Sequence, residues 1–362
     1  MTLVLGQTPH YQNHERMIRF PDVPGYKTLI CDLHIHTVFS DGDVWPNIRV
    51  DEAIRDGLDV IAITDHLEYQ PHKEDIPNPD RNRSHVIASK RGEGHNIIIL
   101  NGSEITRDMP PGHSNAIFVK DANRLIKEDA KEVFNEAKRQ DAFVFWNHPN
   151  WLSQASDGVV PFSDMHKDLI KKKLLHGIEV VNENTYSDEA VQIALDYNLT
   201  MLGTSDIHGL VDWQYRIPQG GHRPVTLVFA KKKSAEAVKE ALTSQRTVVW
   251  FNNLLIGRER DLMPLIEASI IAEAASYKGD SEVSEVILKN NSDSKFILTN
   301  RGKFNFHARG DLVTLPPHST ITLLVKTLER LSSFDLSFEV MNALTAPRNH
   351  PTINFTIKPS LK

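Results

Sequence analysis

From residue 27 onward, short β-branched apolar runs alternate with stretches of helical periodicity. TLICDLHIH is followed by a helical segment around Arg49–Asp56 that Gly57 closes as a C-cap. LDVIAITDH, NIIILNGSEI, HSNAIFV, FVFWNHP, GIEVVNEN, TMLGTSDIH and VTLVFA are the further runs, with the helix patterns KEDAKEVFNEAKRQ, SDEAVQIALDYN and SAEAVKEALTS among them. Strands alternating with helices read as parallel β/α units. About seven such strands with helices outside predict a distorted β/α barrel over residues 27–260. An open doubly wound sheet is the alternative, but no Gly-rich phosphate loop follows the first strand.

Near residue 262 the helical period fades. EVILKN, KFILTN, KFNFHAR, STITLLVKT, FDLSFEVMN and TINFTIKP are short strand patterns separated by Asn, Gly, Pro and Ser. They predict a small all-β sandwich over residues 265–362. Residues 1–26, punctuated by Pro9, Pro21, Pro24 and Gly25, read as an N-terminal arm.

Composition narrows the class. A length of 362 residues holds a barrel and a smaller domain, and 40% hydrophobic with 24% charged residues excludes a disordered chain. A net charge of −6 supplies no basic field for a nucleic-acid backbone, so a small-molecule partner is expected and the C-terminal domain is a candidate oligomerisation surface. Cys31 is the single cysteine, which excludes an intrachain disulfide and a Cys-rich zinc module. No apolar run reaches membrane-spanning length. The start MTLVLGQTPH is too short for a signal peptide but fits the tail of a longer one, leaving cytoplasm and bacterial periplasm both open.

Metal-type side chains fall at the ends of the expected strands. His34 and His36, two apart on a strand, point to one face. Asp41 follows in the turn SDGD; His66 ends the second strand; Asp65 would point the other way and orient a neighbour. Glu104, after an apolar run, has two oxygens and so can bridge two cations. His113 opens HSNAIFV, His148 closes FVFWNHP, and Asp206 and His208 repeat the i, i+2 spacing. Each alone has an ordinary structural reading: an aspartate shapes turns, a loop histidine is common. With 17 histidines, one at a given strand end by chance is on the order of one in twenty, so five of about seven ends is not accident. In a parallel barrel these ends share one mouth. Imidazole and carboxylate without thiolate suit Zn, Mn or Fe, and one zinc uses only about four ligands, so nine imply two or three ions. Arg216, His222 and Arg223, after DIHGLVDWQYR, are candidates for phosphate contact, with His72 and Lys73 weaker ones. Glu179 and Asn182, at the end of GIEVVNEN, read as support.

HIHTVFSDG, ITDH, GSEI, GH, NHP and SDIH, in this order over roughly residues 28–250, resemble the signature of the PHP (polymerase and histidinol phosphatase) family. The resemblance implies a distorted seven-stranded β/α barrel with a trinuclear site holding up to three divalent ions. One would take His34, His36, Glu104 and Asp206; a second Glu104, His113 and His148, with Glu104 bridging; a third Asp41, His66 and His208. The implied activity is hydrolysis of a small organic phosphate mono- or diester by a hydroxide held between metals, with Glu104, Asp206 and His208 at its catalytic centre. The β domain resembles that of a PHP subgroup that includes phosphodiesterases. A PHP-type nuclease is the alternative within the family, and a metal-stabilised scaffold or binding protein the alternative outside it. The acidic balance counts against the first, and coordination positions left open by nine ligands on three ions against the second.

Overall fold

The structure, a computed structural model, describes residues 16–360, apart from the side chain of residue 274. The leader-like start and residues 1–15 of the expected arm lie outside the described residues. The rest of the arm is tied down: Arg16 pairs with Asp56 and Asp212, and the Ile18 N–H donates to the Asp56 carbonyl at 2.9 Å.

Seven strands form the curled sheet that carries the site: β1 (Lys27–Ile35), β2 (Val60–Ile63), β3 (Ile98–Ile105), β4 (Ser114–Ile117), β5 (Phe143–Trp146), β6 (Gly177–Asn182) and β7 (Thr200–Thr204). They pair in chain order. A bridge from Ile35 to Ile207, with the His36 N–H donating to the Ile207 carbonyl at 3.1 Å, brings the end of the seventh strand back to β1. Strands β1, β2, β5, β6 and β7 are buried almost throughout, as expected for a sheet covered on both faces.

The distorted β/α barrel expected from the alternation is present, and two of its strands depart from the parallel direction. β4 runs antiparallel to both β3 and β5. β8 (Val225–Ala230) runs antiparallel to β1, and β9 (Thr247–Phe251) and β10 (Leu254–Gly257) continue that side of the sheet. For β4 the reason lies in its connection to β3: parallel neighbours need a crossover of a dozen or more residues, usually a helix, and the eight residues 106–113 contain none.

Helices α1 (Pro46–Arg55), α2 (Arg83–Gly92), α3 (Ala130–Arg139), α4 (Asp164–Lys171), α5 (Asp188–Asp196), α6 (Ala235–Thr243) and α7 (Glu259–Ser269) complete this part. The three strongest helix patterns start at side-chain caps: Asp129, Ser187 and Ser234 accept from the backbone N–H of Glu132, Ala190 and Ala237. Gly57 stands just past α1 at φ +75°, which favours glycine, as a C-cap requires.

β11 (Ile270–Tyr277) follows α7 directly and pairs with β12 (Val283–Asn290). Beyond them lie β13 (Phe296–Asn300), β14 (Leu312–Leu315), β15 (Thr320–Lys326), β16 (Phe334–Val340) and β17 (Thr352–Ile357). One sheet runs β11–β12–β15 and the other β14–β13–β16–β17. Alternate residues of β12 and β13 turn inward, and Val286, Leu288 and Leu323 meet Phe296, Leu298 and Phe338 in one core. The KFNFHAR segment, expected as a strand, contributes only a bridge from Phe306 to Val325, although Phe304 and Phe306 are buried. The same core runs on to Val225, Leu227 and Ile266, and Ala343–Leu344 pairs with β10, so the sandwich is packed on the β8–β10 side of the barrel.

Candidate metal centre

The strand ends bring the nine candidate ligands together. His34 and His36 are fully buried, their Nε2 atoms 3.0 Å apart. Asp206 Oδ1 lies 3.1 Å from His34 Nε2 and 3.0 Å from His36 Nε2. Glu104, 1% exposed, stands between two groups. Its Oε2 is 2.8 Å from His66 Nδ1, 3.4 Å from His36 Nε2 and 3.6 Å from His34 Nε2. Its Oε1 is 3.1 Å from His113 Nδ1 and 3.2 Å from His148 Nε2. Asp41 Oδ2 is 3.2 Å from Nε2 of both His66 and His208. Gly42 permits this turn, because a Cβ there would stand 2.8 Å from the Thr37 backbone nitrogen.

Three subsets place one ligand atom from each member within 4.8 Å of the others: His36, Asp41, His66 and His208; His34, His36 and Glu104; His66, Glu104 and His113. These overlap the sets implied by the resemblance, with His66 standing where His148 was expected in the second.

The surroundings orient the rings. His34 Nδ1 lies 2.8 Å from Glu179 Oε1, which an N–H on Nδ1 satisfies, leaving the Nε2 lone pair to face the cluster. His208 Nδ1 donates to the Asp206 carbonyl at 2.8 Å, with the same result. Glu179 also accepts from Thr204 Oγ1, the His148 N–H and Asn182 Nδ2, so it is fully engaged as support. Asp65 accepts from the Thr37 N–H and Ser40 Oγ, and Ser40 Oγ is 3.3 Å from His36 Nδ1. His148 and Asp206 have positive φ of 27° and 47°, an uncommon backbone state that is held where it aims side chains at a site.

Divalent cations fit this donor set. Asp41 Oδ1, His148 Nδ1 and Asp206 Oδ1 are buried without a hydrogen-bond partner, though Asp206 Oδ1 touches two imidazole nitrogens. Lone pairs facing lone pairs in a dry site are costly unless a cation lies among them. The charge balance agrees. Burial works against the His66 and His208 cations, yet neighbouring carboxylates raise His66 to about 11 and His208 to about 9. Burial also works against the Glu104 and Asp206 anions, yet the imidazoles hold both well below the carboxylate range. His36 goes the other way, lowered to about 4 by burial and by the His208 and His66 charges. The cluster therefore attracts positive charge, and protons and metal ions compete for it.

The cavity over these groups is about 220 Å³ and adds three residues to its wall: Trp151, Asn182 and Glu183. Asn147, outside that wall, supports the site: its Nδ2 donates to Glu104 Oε1 at 2.8 Å. Of these only Asn182 was singled out in the sequence. Asn147 was legible as the residue beside His148 in FVFWNHP; Trp151 and Glu183 carried no signal.

The residues expected as phosphate contacts lie outside the wall of the metal-site cavity. Arg223 is 1% exposed and points away from the cavity, its guanidinium on Asp32 at 3.1 Å and Asp56 at 2.7 Å. His222 stacks on Trp250 at 3.5 Å between ring centroids, and burial lowers its pKa to about 4, so it is neutral there. Arg216 and His222 line a neighbouring cavity of about 530 Å³ instead. His72 and Lys73 are not in the wall of the metal-site cavity.

Residues 32–293 match the family model described as PHP domain, and residues 270–356 one described as Ig-like domain. The chain belongs to the PHP family. A two-domain protein from Bacteroides vulgatus ATCC 8482, containing a predicted PHP-like metal-dependent phosphoesterase, is 42% identical, covering 94% of this chain and 98% of its own, with a TM-score of 0.88. A protein of Bifidobacterium adolescentis ATCC 15703 described as a putative metal-dependent phosphoesterase matches 49% of this chain and 87% of its own at 20% identity, and its TM-score of 0.39 is too low to carry an argument. No curated protein matches. The arrangement of one PHP domain followed by an Ig-like domain is thus shared over nearly the whole of both chains in the first pair. Among the described residues no helix is long and apolar enough to cross a membrane.

Proposed function

We propose that this PHP protein is a metal-dependent phosphoesterase acting on the phosphate ester of a small organic molecule, with up to three divalent ions held by His34, His36, Asp41, His66, Glu104, His113, His148, Asp206 and His208. The observation that carries the reading is the split of Glu104: Oε1 toward His113 and His148, Oε2 toward His34, His36 and His66. A carboxylate shared in this way would serve two adjacent cations. When bound, such ions supply an acidified water as nucleophile and neutralise charge on the phosphate oxygens.

The chain's own groups do the rest. Glu179 and the Asp206 carbonyl hold protons on Nδ1 of His34 and His208, so both rings keep Nε2 as a donor to metal. His208, with 33% of its side chain exposed against 11% or less for the other five imidazoles, lies nearest the mouth. A phosphate oxygen entering the cavity would meet the Asp41–His66–His208 corner first. Trp151 packs against the His113 and His148 rings, at 5.6 and 5.2 Å between centroids, and walls that flank. The cavity wall contains no Lys or Arg, which favours a small ester over a nucleic-acid strand. It also contains no residue beyond 208, so we assign catalysis to residues 27–260 and a supporting role to the sandwich at 265–362.

The test is turnover of p-nitrophenyl phosphate and bis(p-nitrophenyl) phosphate with added manganese or zinc. At least one should be hydrolysed, activity should fall by at least roughly a hundred-fold on chelation, and metal should restore it. No turnover of either ester by fully loaded protein would leave the scaffold reading in its place.

A further inference from the structure

The wall of the metal-site cavity holds four carboxylates: Asp41, Glu104, Asp206 and Glu183. The first three belong to the candidate ligand set. Glu183, like Asp206, is in none of the three close groups, but Asp206 Oδ1 lies 3.1 Å or less from two candidate imidazoles, whereas no ion pair joins Glu183 to a candidate ligand among the described residues. It follows β6 in a left-handed turn, φ +48°, with its N–H donating to the Thr204 carbonyl at 3.2 Å, and its Oε1 accepts from Gln214 Nε2 at 3.3 Å. Its carboxylate is thus held at the wall by one neutral hydrogen bond and makes no ion pair among the described residues, although the His208 and His34 charges act on it from farther off.

Four arginines placed around the site are engaged elsewhere, and Arg216 lines the neighbouring cavity. Arg49 donates to the carbonyls of His36, Ile207, His208 and Gly209 and pairs with Glu52. Arg223 is bound to Asp32 and Asp56, Arg107 to Glu68, and Arg81 donates to the Leu67 carbonyl. A phosphate monoester enters at pH 8 as a dianion, a diester as a monoanion. In this cavity the extra charge of the monoester meets no Lys or Arg beside the histidines of the metal site, and it faces Glu183 in a half-enclosed space where repulsion is screened less than in bulk water.

We propose that Glu183 is a specificity-determining residue that selects singly charged phosphodiesters against doubly charged monoesters. The proposal rests on the phosphoesterase reading above and deepens it.

The experiment compares wild type, Glu183→Gln and Glu183→Asp, each loaded with manganese, at pH 8. It records kcat/KM for bis(p-nitrophenyl) phosphate and p-nitrophenyl phosphate, the inhibition constants of inorganic phosphate and dimethyl phosphate, and metal content. Glu183→Gln should raise kcat/KM for the monoester relative to the diester by about ten-fold, mostly through KM, and tighten inorganic phosphate relative to dimethyl phosphate by a similar factor. Glu183→Asp, which keeps the charge, should retain the wild-type ratios, and metal content should be equal in all three. Ratios unchanged in Glu183→Gln, with turnover intact, overturn the proposal and leave the phosphoesterase reading standing. Loss of metal in Glu183→Gln also overturns it, by making Glu183 a ligand. A wild type that cleaves neither ester while fully loaded overturns both.

Discussion

Glu104→Gln is expected to lower phosphoesterase turnover by roughly a thousand-fold and to remove at least part of the bound metal. The carboxylate reaches both halves of the cluster, 2.8 Å from His66 on one oxygen and 3.1 Å from His113 on the other. An amide keeps the shape but loses the charge, and its NH₂ turns a donor toward nitrogens or cations that need an acceptor. It would also face Asn147 Nδ2, which now donates to Oε1, donor against donor. The check is kcat beside elemental analysis of the same preparation. Turnover within ten-fold of wild type at full metal load would show that Glu104 does not bridge.

Arg223→Ala should cost roughly 3–5 kcal/mol of folding stability, as removal of one partner from a buried ion pair does. The guanidinium is 1% exposed between Asp32 and Asp56, whose side chains are 0% and 3% exposed. Burial raises the Asp32 carboxyl even with Arg223 beside it, so without the cation that charge has little to hold it. Asp56 keeps Arg16, which softens the loss on that side. The consequence reaches the site, because Asp32 accepts from the N–H and Oγ of Ser205, the residue before Asp206. Urea unfolding of the chelated variant measures this. Stability within about 1 kcal/mol of wild type, with a raised KM, would return Arg223 to a substrate-contact role.

The same two residues show what could be read from the sequence and what could not. Ligand candidates were legible because coordination demands particular side chains at strand ends, and the strand period puts His34 with His36, and Asp206 with His208, on one face. Arg223 was not, since an arginine beside a strand reads alike whether it turns to the cavity or to buried aspartates at positions 32 and 56 far earlier in the chain. The strands themselves were visible as apolar runs, but the reversed direction of β4 and β8 depends on what connects them, and the turn before β4 is irregular. Helix α2, RSHVIASKRG, is too polar to announce itself by an apolar stripe, and α7 carries Pro264 inside it, which argues locally against a helix. Glu183 sat in a run of Asn and Glu with nothing to separate it from a solvated turn; its meaning comes from the wall it joins.

The account stands on these donors caging more than one cation. Metal content after chelation and reloading with manganese or zinc, measured per chain by elemental analysis with His34→Ala and Glu104→Gln alongside, tests this most directly. The account predicts two to three ions per chain in wild type and fewer in both variants. One ion or none in fully folded wild type, or a content that neither substitution changes, would contradict it.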